Sequence, residues 1–240
     1  MRAGGGAGGE LGADARALRA LEPVALLAVP GAFVTCAAVG VEQSALVTLV
    51  AALAAIGLFF ASFERSRPAL RQVMPTVVLA ALAAAGRVLF AAIPDFKPVS
   101  AICILAGVVF GRRSGFMVGA LAALVSNFFF GQGPWTPWQM YGWGLVGYAS
   151  GLMGERGWLE RTGVLLTWGF LSAMLYGLVL NSWYVVGFVH PLTVPAVLAA
   201  FAAGLPFDVV HGVATVAFLA ALFVPWRRKL ERIQRKFELG

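Results

Sequence analysis

Long apolar stretches separated by short polar or basic segments run through the chain from residue 23 onward. A helix needs about 20 apolar residues to cross the hydrocarbon core of a bilayer, and most of these stretches approach that length. Their apolar runs are continuous, whereas the strands of a membrane barrel alternate apolar and polar positions. The pattern therefore predicts eight transmembrane helices, at residues 23–41, 43–62, 73–93, 99–111, 114–130, 138–153, 163–183 and 206–225.

Composition and the distribution of charge support the same class. The chain is 60% hydrophobic and 12% charged, which is too apolar for a soluble domain of 240 residues. Given eight helices, sixteen of the 18 Lys and Arg residues fall in the two tails and in every second connection. Lys and Arg collect in cytoplasmic loops, so we expect a multi-pass plasma-membrane protein with both termini in the cytoplasm. The net charge of +7 is then a signal of topology and not of nucleic-acid binding.

The same pattern divides the chain into four segments. Residues 1–21 begin with Gly and Ala and are expected to form a disordered cytoplasmic tail. Residues 22–71 form a two-helix extension, residues 72–225 a six-helix core, and residues 226–240 a basic cytoplasmic tail. Within the core, Gly and Ala recur at four-residue spacing, which favours close packing of helix backbones. The residues at that spacing are Gly107, Gly111, Gly115, Gly119, Ala123, Gly147 and Gly151.

Polar side chains within the apolar helices and their loops fall mainly in the predicted outer half of the core. Polar groups at such depth are costly and usually face a cavity or a partner. Rings, amides and a few charges together are typical of a pocket for a flat organic ligand, with the rings stacking on the ligand and the polar groups orienting it. The residues expected to bind the ligand are Arg87, Asp95, Lys97, Asn127, Gln132, Trp135, Trp138, Gln139, Tyr141, Asn181, Trp183, Asp208 and His211.

Simpler interpretations of individual residues stay open at this point. Trp and Tyr form belts at membrane interfaces in many proteins. Arg87 is a candidate ion-pair partner of Asp95 or Asp208, and His211 follows Asp208 at a spacing that would allow the two to pair. A membrane enzyme that acts on lipid, with Asp208 and His211 as acid and base, is one alternative function. A structural membrane subunit without a ligand is another.

Several chemistries lack the residues that they need. The chain has two His and two Cys without the spacing of a zinc site, and no glycine-rich phosphate loop of the Walker type. No catalytic triad is evident, and the acids that an ion-coupled carrier would use are few. We therefore expect no catalytic residue, no metal and no cofactor in this chain, and any transport would draw its energy from elsewhere.

Residues 72–225 resemble the substrate-binding S component of energy-coupling factor (ECF) vitamin transporters. The resemblance depends on a combination of four segments, namely Gly-Arg-Val-Leu-Phe at 86–90, Pro-Asp-Phe-Lys-Pro-Val at 94–99, Gly-Gln-Gly-Pro-Trp-Thr-Pro-Trp-Gln at 131–139 and Pro-Phe-Asp-Val-Val-His at 206–211. S components have a six-helix core, which corresponds to the last six predicted helices. The first two helices are an addition to that pattern.

The resemblance implies a function, partners and a docking site. S components take a vitamin from outside, and two partner ATPases hydrolyse ATP for the transport. An Ala-x-x-x-Ala strip on the first core helix docks the transmembrane coupling subunit, and Ala80 and Ala84 match that strip. The local motifs favour cobalamin-type uptake, with riboflavin as the alternative. The lipid bilayer is the remaining expected partner.

Overall fold

A computed structural model describes residues 7–39, 44–65 and 70–236. Over these residues the fold is all-α without a strand, and it contains eight α-helices as predicted. The elements are α1 (Ala7–Val39), α2 (Ser44–Arg65), α3 (Leu70–Leu89), α4 (Val99–Phe110), α5 (Arg112–Phe130), α6 (Thr136–Glu155), a 3₁₀ turn (Trp158–Glu160), α7 (Thr162–Phe188) and α8 (Val194–Lys236).

Several predicted boundaries differ from the structure, most of all at the two ends of the chain. Residues 7–21, assigned to a disordered tail, are part of α1, whereas residues 1–6 and 237–240 of the tails lie outside the described residues. The last helix begins at Val194 rather than at residue 206 and continues through the basic segment to Lys236. A proline usually marks a helix boundary because it disfavours the helical conformation of the residue before it. Here α8 passes through Pro206, as membrane helices often do.

Within the described residues, four helices are long and apolar enough to cross a membrane, namely the segments Ala45–Arg65, Arg112–Phe130, Thr162–Phe188 and Val194–Lys236. Shorter apolar helices cover Ala20–Cys36, Val73–Leu89 and Val99–Phe110. Large apolar side chains are exposed on the outside of several helices, among them Leu27, Val50 and Leu171. Such surface would be unfavourable in water and is compatible with a multi-pass membrane protein.

The helix pair α5 and α6 forms the centre of the bundle through glycine contacts. A Cβ atom on Gly115 would overlap the backbone of Gly147, and a Cβ on Gly147 would overlap the backbone of Gly115. Gly107 in α4 meets the same stretch of α6, and Gly151 lies against the backbone of Arg112. The predicted four-residue spacing of small residues therefore serves close backbone packing.

A buried carboxylate joins the N-terminal helices to the rest of the bundle. Glu22 of α1 is 1% exposed and accepts hydrogen bonds from Ser62 of α2 (2.6 Å), Arg113 of α5 (2.7 Å) and Tyr148 of α6 (2.7 Å). The hydroxyl of Tyr141 also donates to the carbonyl oxygen of Leu26, at 2.6 Å. A buried charge is tolerated when it is paired and fully hydrogen-bonded, and this one ties four helices together.

The two ends of the bundle have different chemistry. At one end, which we call the basic end, Arg112 lies 3.7 Å from Glu155 and Arg227 makes a 2.7 Å ion pair with Glu160. This contact with Arg227 lowers the pKa of Glu160. The opposite end, which we call the loop end, carries the α5–α6 loop (131–135) and the α7–α8 loop (189–193).

Candidate functional site

Arg87 lies at the centre of a polar cluster near the loop end. It is in the last turn of α3, and its Nη1 donates hydrogen bonds to Ser126 Oγ (2.7 Å) and Asn127 Oδ1 (2.6 Å) of α5. Both partners are fully buried. No carboxylate oxygen of the described residues lies within 4 Å of the guanidinium. The cation is thus held by neutral groups.

Asn127 connects Arg87 to the start of α6 through hydrogen bonds. Its Nδ2 donates to Thr136 Oγ1 at 2.9 Å and to Gln139 Oε1 at 2.7 Å. The hydroxyl of Thr136 in turn donates to Gln132 Oε1 at 2.9 Å, and Gln132 Nε2 caps the carbonyl oxygen of Leu124. This network fixes the α5–α6 loop, which has no side-chain cap at the start of α6. It brings four predicted site residues together.

A row of rings leads from Arg87 across the bundle. The guanidinium carbon lies over the ring of Phe130, 4.5 Å from its centroid, and over the ring of Trp143, 5.0 Å away. Trp143 stacks on Tyr176 with a centroid distance of 4.5 Å, and Tyr176 meets His211 edge to face at 5.1 Å. Contacts of a cation with ring faces are favourable and strengthen when water is excluded.

Asp208 and Asn181 form a second polar pair near the His211 end of this row. Asn181 Nδ2 donates to Asp208 Oδ2 at 2.9 Å. The two helices approach closely here because glycine faces each side chain. A Cβ on Gly177 would overlap the Asp208 carboxylate, and a Cβ on Gly204 would overlap the Asn181 amide. The glycines therefore make room for the polar pair between α7 and α8.

The α3–α4 loop (90–98) contributes two charges. Lys97 Nζ donates to the carbonyl oxygens of Phe90 and Ile93, so the ammonium stabilises the loop to which it belongs. Desolvation lowers the pKa of Lys97, and the nearby Asp95 carboxylate opposes that change. Asp95 itself is exposed and adopts a positive φ of 52°. Phe96 lies against Phe218 of α8, at 5.4 Å between ring centroids, which places the loop beside that helix.

Four other predicted site residues lie outside the hydrogen-bonded network. Trp135 and Trp183 contact each other edge to face at 6.1 Å and link α6 with α7 at the loop end. Trp138 is 1% exposed and belongs to the hydrophobic core. Tyr141 lies against α1, and its hydroxyl is bound to the backbone of that helix. In this conformation Trp138 and Tyr141 serve packing, whereas Trp135 and Trp183 are partly accessible.

The pairings considered from the sequence differ from those in the structure. Arg87 has Ser126 and Asn127 as partners rather than Asp95 or Asp208. His211 Nε2 lies 2.8 Å from Ser100 Oγ, which also accepts a hydrogen bond from Trp143 Nε1, and Asp208 is bound to Asn181 instead. Ser100 was not predicted as a partner, because it lies 111 positions before His211 and α4 is otherwise apolar.

The predicted docking pair also has an unexpected environment. Ala80 and Ala84 are each 3% exposed, so they face the interior of the bundle. The exposed side of α3 instead carries Ala81 and Ala85, together with Val78. The shift by one position moves the small residues by about 100° around the helix. On α3, the small residues that a partner could reach in this structure are therefore Ala81 and Ala85.

Two further features lie apart from the cluster. A cavity of about 290 Å³ at the basic end is lined by residues of α7 and α8, including Leu165, Phe223 and Arg227, and contains none of the predicted ligand-binding residues. Across the part of the chain that the structure describes, no group of three His, Cys, Asp or Glu side chains is placed to hold a metal ion.

Asn127→Leu is expected to lower the free energy of unfolding by about 2 kcal/mol, because Arg87, Thr136 and Gln139 would each lose a buried hydrogen-bond partner. Unfolding by sodium dodecyl sulfate in mixed micelles would measure the change. Gln132→Leu is the matched control. Its side chain is exposed, and water replaces the lost bonds at a cost below about 1 kcal/mol. Equal effects of the two substitutions would contradict the central role of Asn127.

The fold and site thus define an all-helical protein with membrane-compatible helices and a polar, ring-rich cluster near one end of the bundle. Residues 67–234 match the profile of the DUF6580 family, which is described as a family of unknown function, and the chain belongs to that family. The match covers α3 to nearly the end of α8 and leaves out α1 and α2. No curated protein and no solved structure is significantly similar to the chain.

Proposed function

We propose that this protein is the substrate-binding subunit of an ATP-driven importer of the ECF type, and that it captures a vitamin or vitamin precursor. The observation that carries the proposal is the convergence of Arg87, Asn127 and Gln139 with the row of rings that ends at His211. Most of the surrounding core is apolar, and polar residues retained at a cost in such surroundings usually serve a ligand.

The distribution of charge supports entry from outside. Ion-paired arginines of two helices lie at the basic end, namely Arg112 and Arg113 at the start of α5 and Arg227 in α8. Because Lys and Arg collect on the cytoplasmic side, the basic end would face the cytoplasm. The loop end, with Trp135 and Trp183 at its rim, would then face the exterior, where a nutrient is captured. Both termini would be cytoplasmic.

The site chemistry agrees with a flat organic ligand. Trp135 and Trp183 offer partly accessible ring faces, and Asp208 keeps Oδ1 free of a hydrogen bond from the described residues. Rings with a few directional polar groups are the usual make-up of a small-molecule site. Cobalamin-type compounds are favoured as the ligand, with riboflavin next, and the six helices α3 to α8 would form the binding core.

Partner subunits would supply the energy, because the sequence lacks a Walker loop for ATP. We place the docking surface for the transmembrane coupling subunit on the exposed side of α3, at Ala81 and Ala85. Small side chains there would allow a partner helix to approach closely. The buried pair Ala80 and Ala84 would instead hold α3 in the bundle.

Ala85→Trp tests this proposal because it should reduce vitamin uptake without changing vitamin binding. Cells that carry the ECF coupling subunit and ATPases would take up labelled cobalamin or riboflavin, and the variant should reduce that uptake at least about tenfold because the indole blocks close helix contact. Binding of the same vitamin to the purified variant should stay at the wild-type level.

Leu171→Trp is the control, since Leu171 is 52% exposed on α7 and lies outside the proposed docking surface. It should leave both uptake and binding unchanged. Full uptake by Ala85→Trp would exclude docking at that surface. Absence of binding and uptake for both vitamins in the wild type would count against the choice of ligand.

A further inference from the structure

We infer that the ligand carries an oxyanion, a carboxylate or a phosphate, which binds the free edge of the Arg87 guanidinium. This inference rests on the proposed function, since it names the chemistry of the ligand for the same site. The evidence for it is that the Arg87 guanidinium has hydrogen-bond donors without an acceptor and that neighbouring groups hold the guanidinium in place.

The guanidinium has donors left over. Nη1 is saturated by Ser126 and Asn127, whereas Nε and Nη2 have no acceptor in the described parts of the chain. Neither nitrogen is a fully buried atom without a partner, so each keeps some exposed surface. Arginine carries five N–H donors in a planar fork, and a carboxylate or phosphate can accept two of them side by side.

No carboxylate of the described residues contacts the guanidinium, and the exposed Asp95 carboxylate acts on it only across more than 4 Å. The nearest hydrogen-bond partners of Arg87 are a hydroxyl and an amide, and its other neighbours are the faces of Phe130 and Trp143. Rings attract a cation but do not neutralise it. A charge in apolar surroundings is costly until an opposite charge pairs with it. An anionic ligand would supply that pair.

The geometry also orients the guanidinium before a ligand arrives. Two hydrogen bonds fix one nitrogen, and two ring faces hold the planar group. Asn127 is itself held by Thr136 and Gln139, so the arginine cannot easily turn away. A side chain that is already ordered loses less entropy on binding than a mobile one.

The test compares two probes of one shape with the purified full-length protein. Benzoate and benzamide are both flat, and only benzoate carries the charge. Titrations followed by intrinsic tryptophan fluorescence should show benzoate binding at least about tenfold more tightly, because an ion pair with two hydrogen bonds exceeds a neutral contact. Arg87→Gln should abolish that preference, and Arg87→Lys should retain part of it, since lysine keeps the charge but loses the fork.

Arg156→Gln is the matched control. Arg156 also lies over a ring, that of Trp158, but at the basic end and exposed. It should leave the preference for benzoate unchanged. Thermal unfolding of each variant would show that the protein remains folded. If Arg87→Gln does not fold, Arg87→Lys decides the matter through its weaker preference.

Two arms separate the sources of the anion. Titration with a short-chain phosphatidic acid tests a lipid headgroup as the source, and titration with benzoate tests a free acid. Preferential binding of either compound through Arg87 supports the inference. Equal affinity for benzoate and benzamide, a preference that survives Arg87→Gln, or no binding of either acid up to about 10 mM would overturn it. If a vitamin binds the wild type and Arg87→Gln with equal affinity, the proposed function still holds, but the inference that the ligand carries an oxyanion is wrong.

Discussion

Gly147→Ala should be among the most damaging single-methyl additions in the bundle. A Cβ atom there would overlap the carbonyl group and Cα of Gly115, which are backbone atoms that cannot turn aside as a side chain can. The helices α5 and α6 would have to move apart, and the neighbouring contact of Gly107 with α6 would open with them. We expect the free energy of unfolding to fall by about 3 kcal/mol or more.

Gly57→Ala is the control for this substitution. Gly57 lies in α2, and a Cβ built on it has no atom within 4 Å. The same chemical change should therefore be neutral, or should stabilise the helix by up to about 1 kcal/mol through the higher helix propensity of Ala. Both variants can be unfolded with sodium dodecyl sulfate in mixed micelles. A Gly147→Ala protein as stable as the Gly57→Ala protein would contradict the backbone contact of α5 and α6.

Glu22→Ala should destabilise the protein by about 3 kcal/mol, because it removes the carboxylate from a buried ion pair and leaves its partners behind. Arg113 is only 18% exposed and would keep its charge without an acceptor. Ser62 and Tyr148 would each lose a hydrogen bond as well. Since Glu22 joins α1 to three other helices, the loss should also make α1 and α2 more accessible to protease.

Glu155→Ala serves as the matched control, since it removes a carboxylate from an exposed pair. Glu155 is 46% exposed and lies 3.7 Å from Arg112, so its removal should cost less than about 1 kcal/mol. A double variant Glu22→Ala, Arg113→Leu should recover part of the stability lost in Glu22→Ala, because no unpaired charge remains. Similar melting temperatures for Glu22→Ala and Glu155→Ala would show that the four-helix junction contributes little.

The number of helices was predictable because each apolar run is continuous and is broken by charge or by Gly and Pro. The packing of α5 on α6 was predictable as well, since glycines at four-residue spacing lie on one face of a helix. The start of α8 was not. Pro206 resembles a helix start in sequence, whereas the helix begins at Val194 and passes through the proline. Residues 7–21 were assigned to a disordered tail because of their glycines, although the other residues of this segment are mostly good helix formers.

The site was predictable in its residue types but not in its pairings. Arg87 and Asn127 stood out because polar groups are rare in apolar helices, and the structure brings them into contact. Trp143 and Tyr176 did not stand out, because a single aromatic residue in an apolar helix looks the same whether it faces lipid, core or ligand. The contact of Ser100 with His211 depends on how α4 and α8 cross, and no local pattern encodes that crossing.

Mass spectrometry of small molecules released from the purified, full-length protein is the most direct test of ligand capture at the loop end. We expect one ring-bearing compound at close to one molecule per chain in the wild type, and its loss from a folded Asn181→Ala, Asp208→Ala double variant. A compound retained equally by both proteins, or a wild type that neither carries a compound nor binds cobalamin or riboflavin, would contradict the capture of a vitamin at this site.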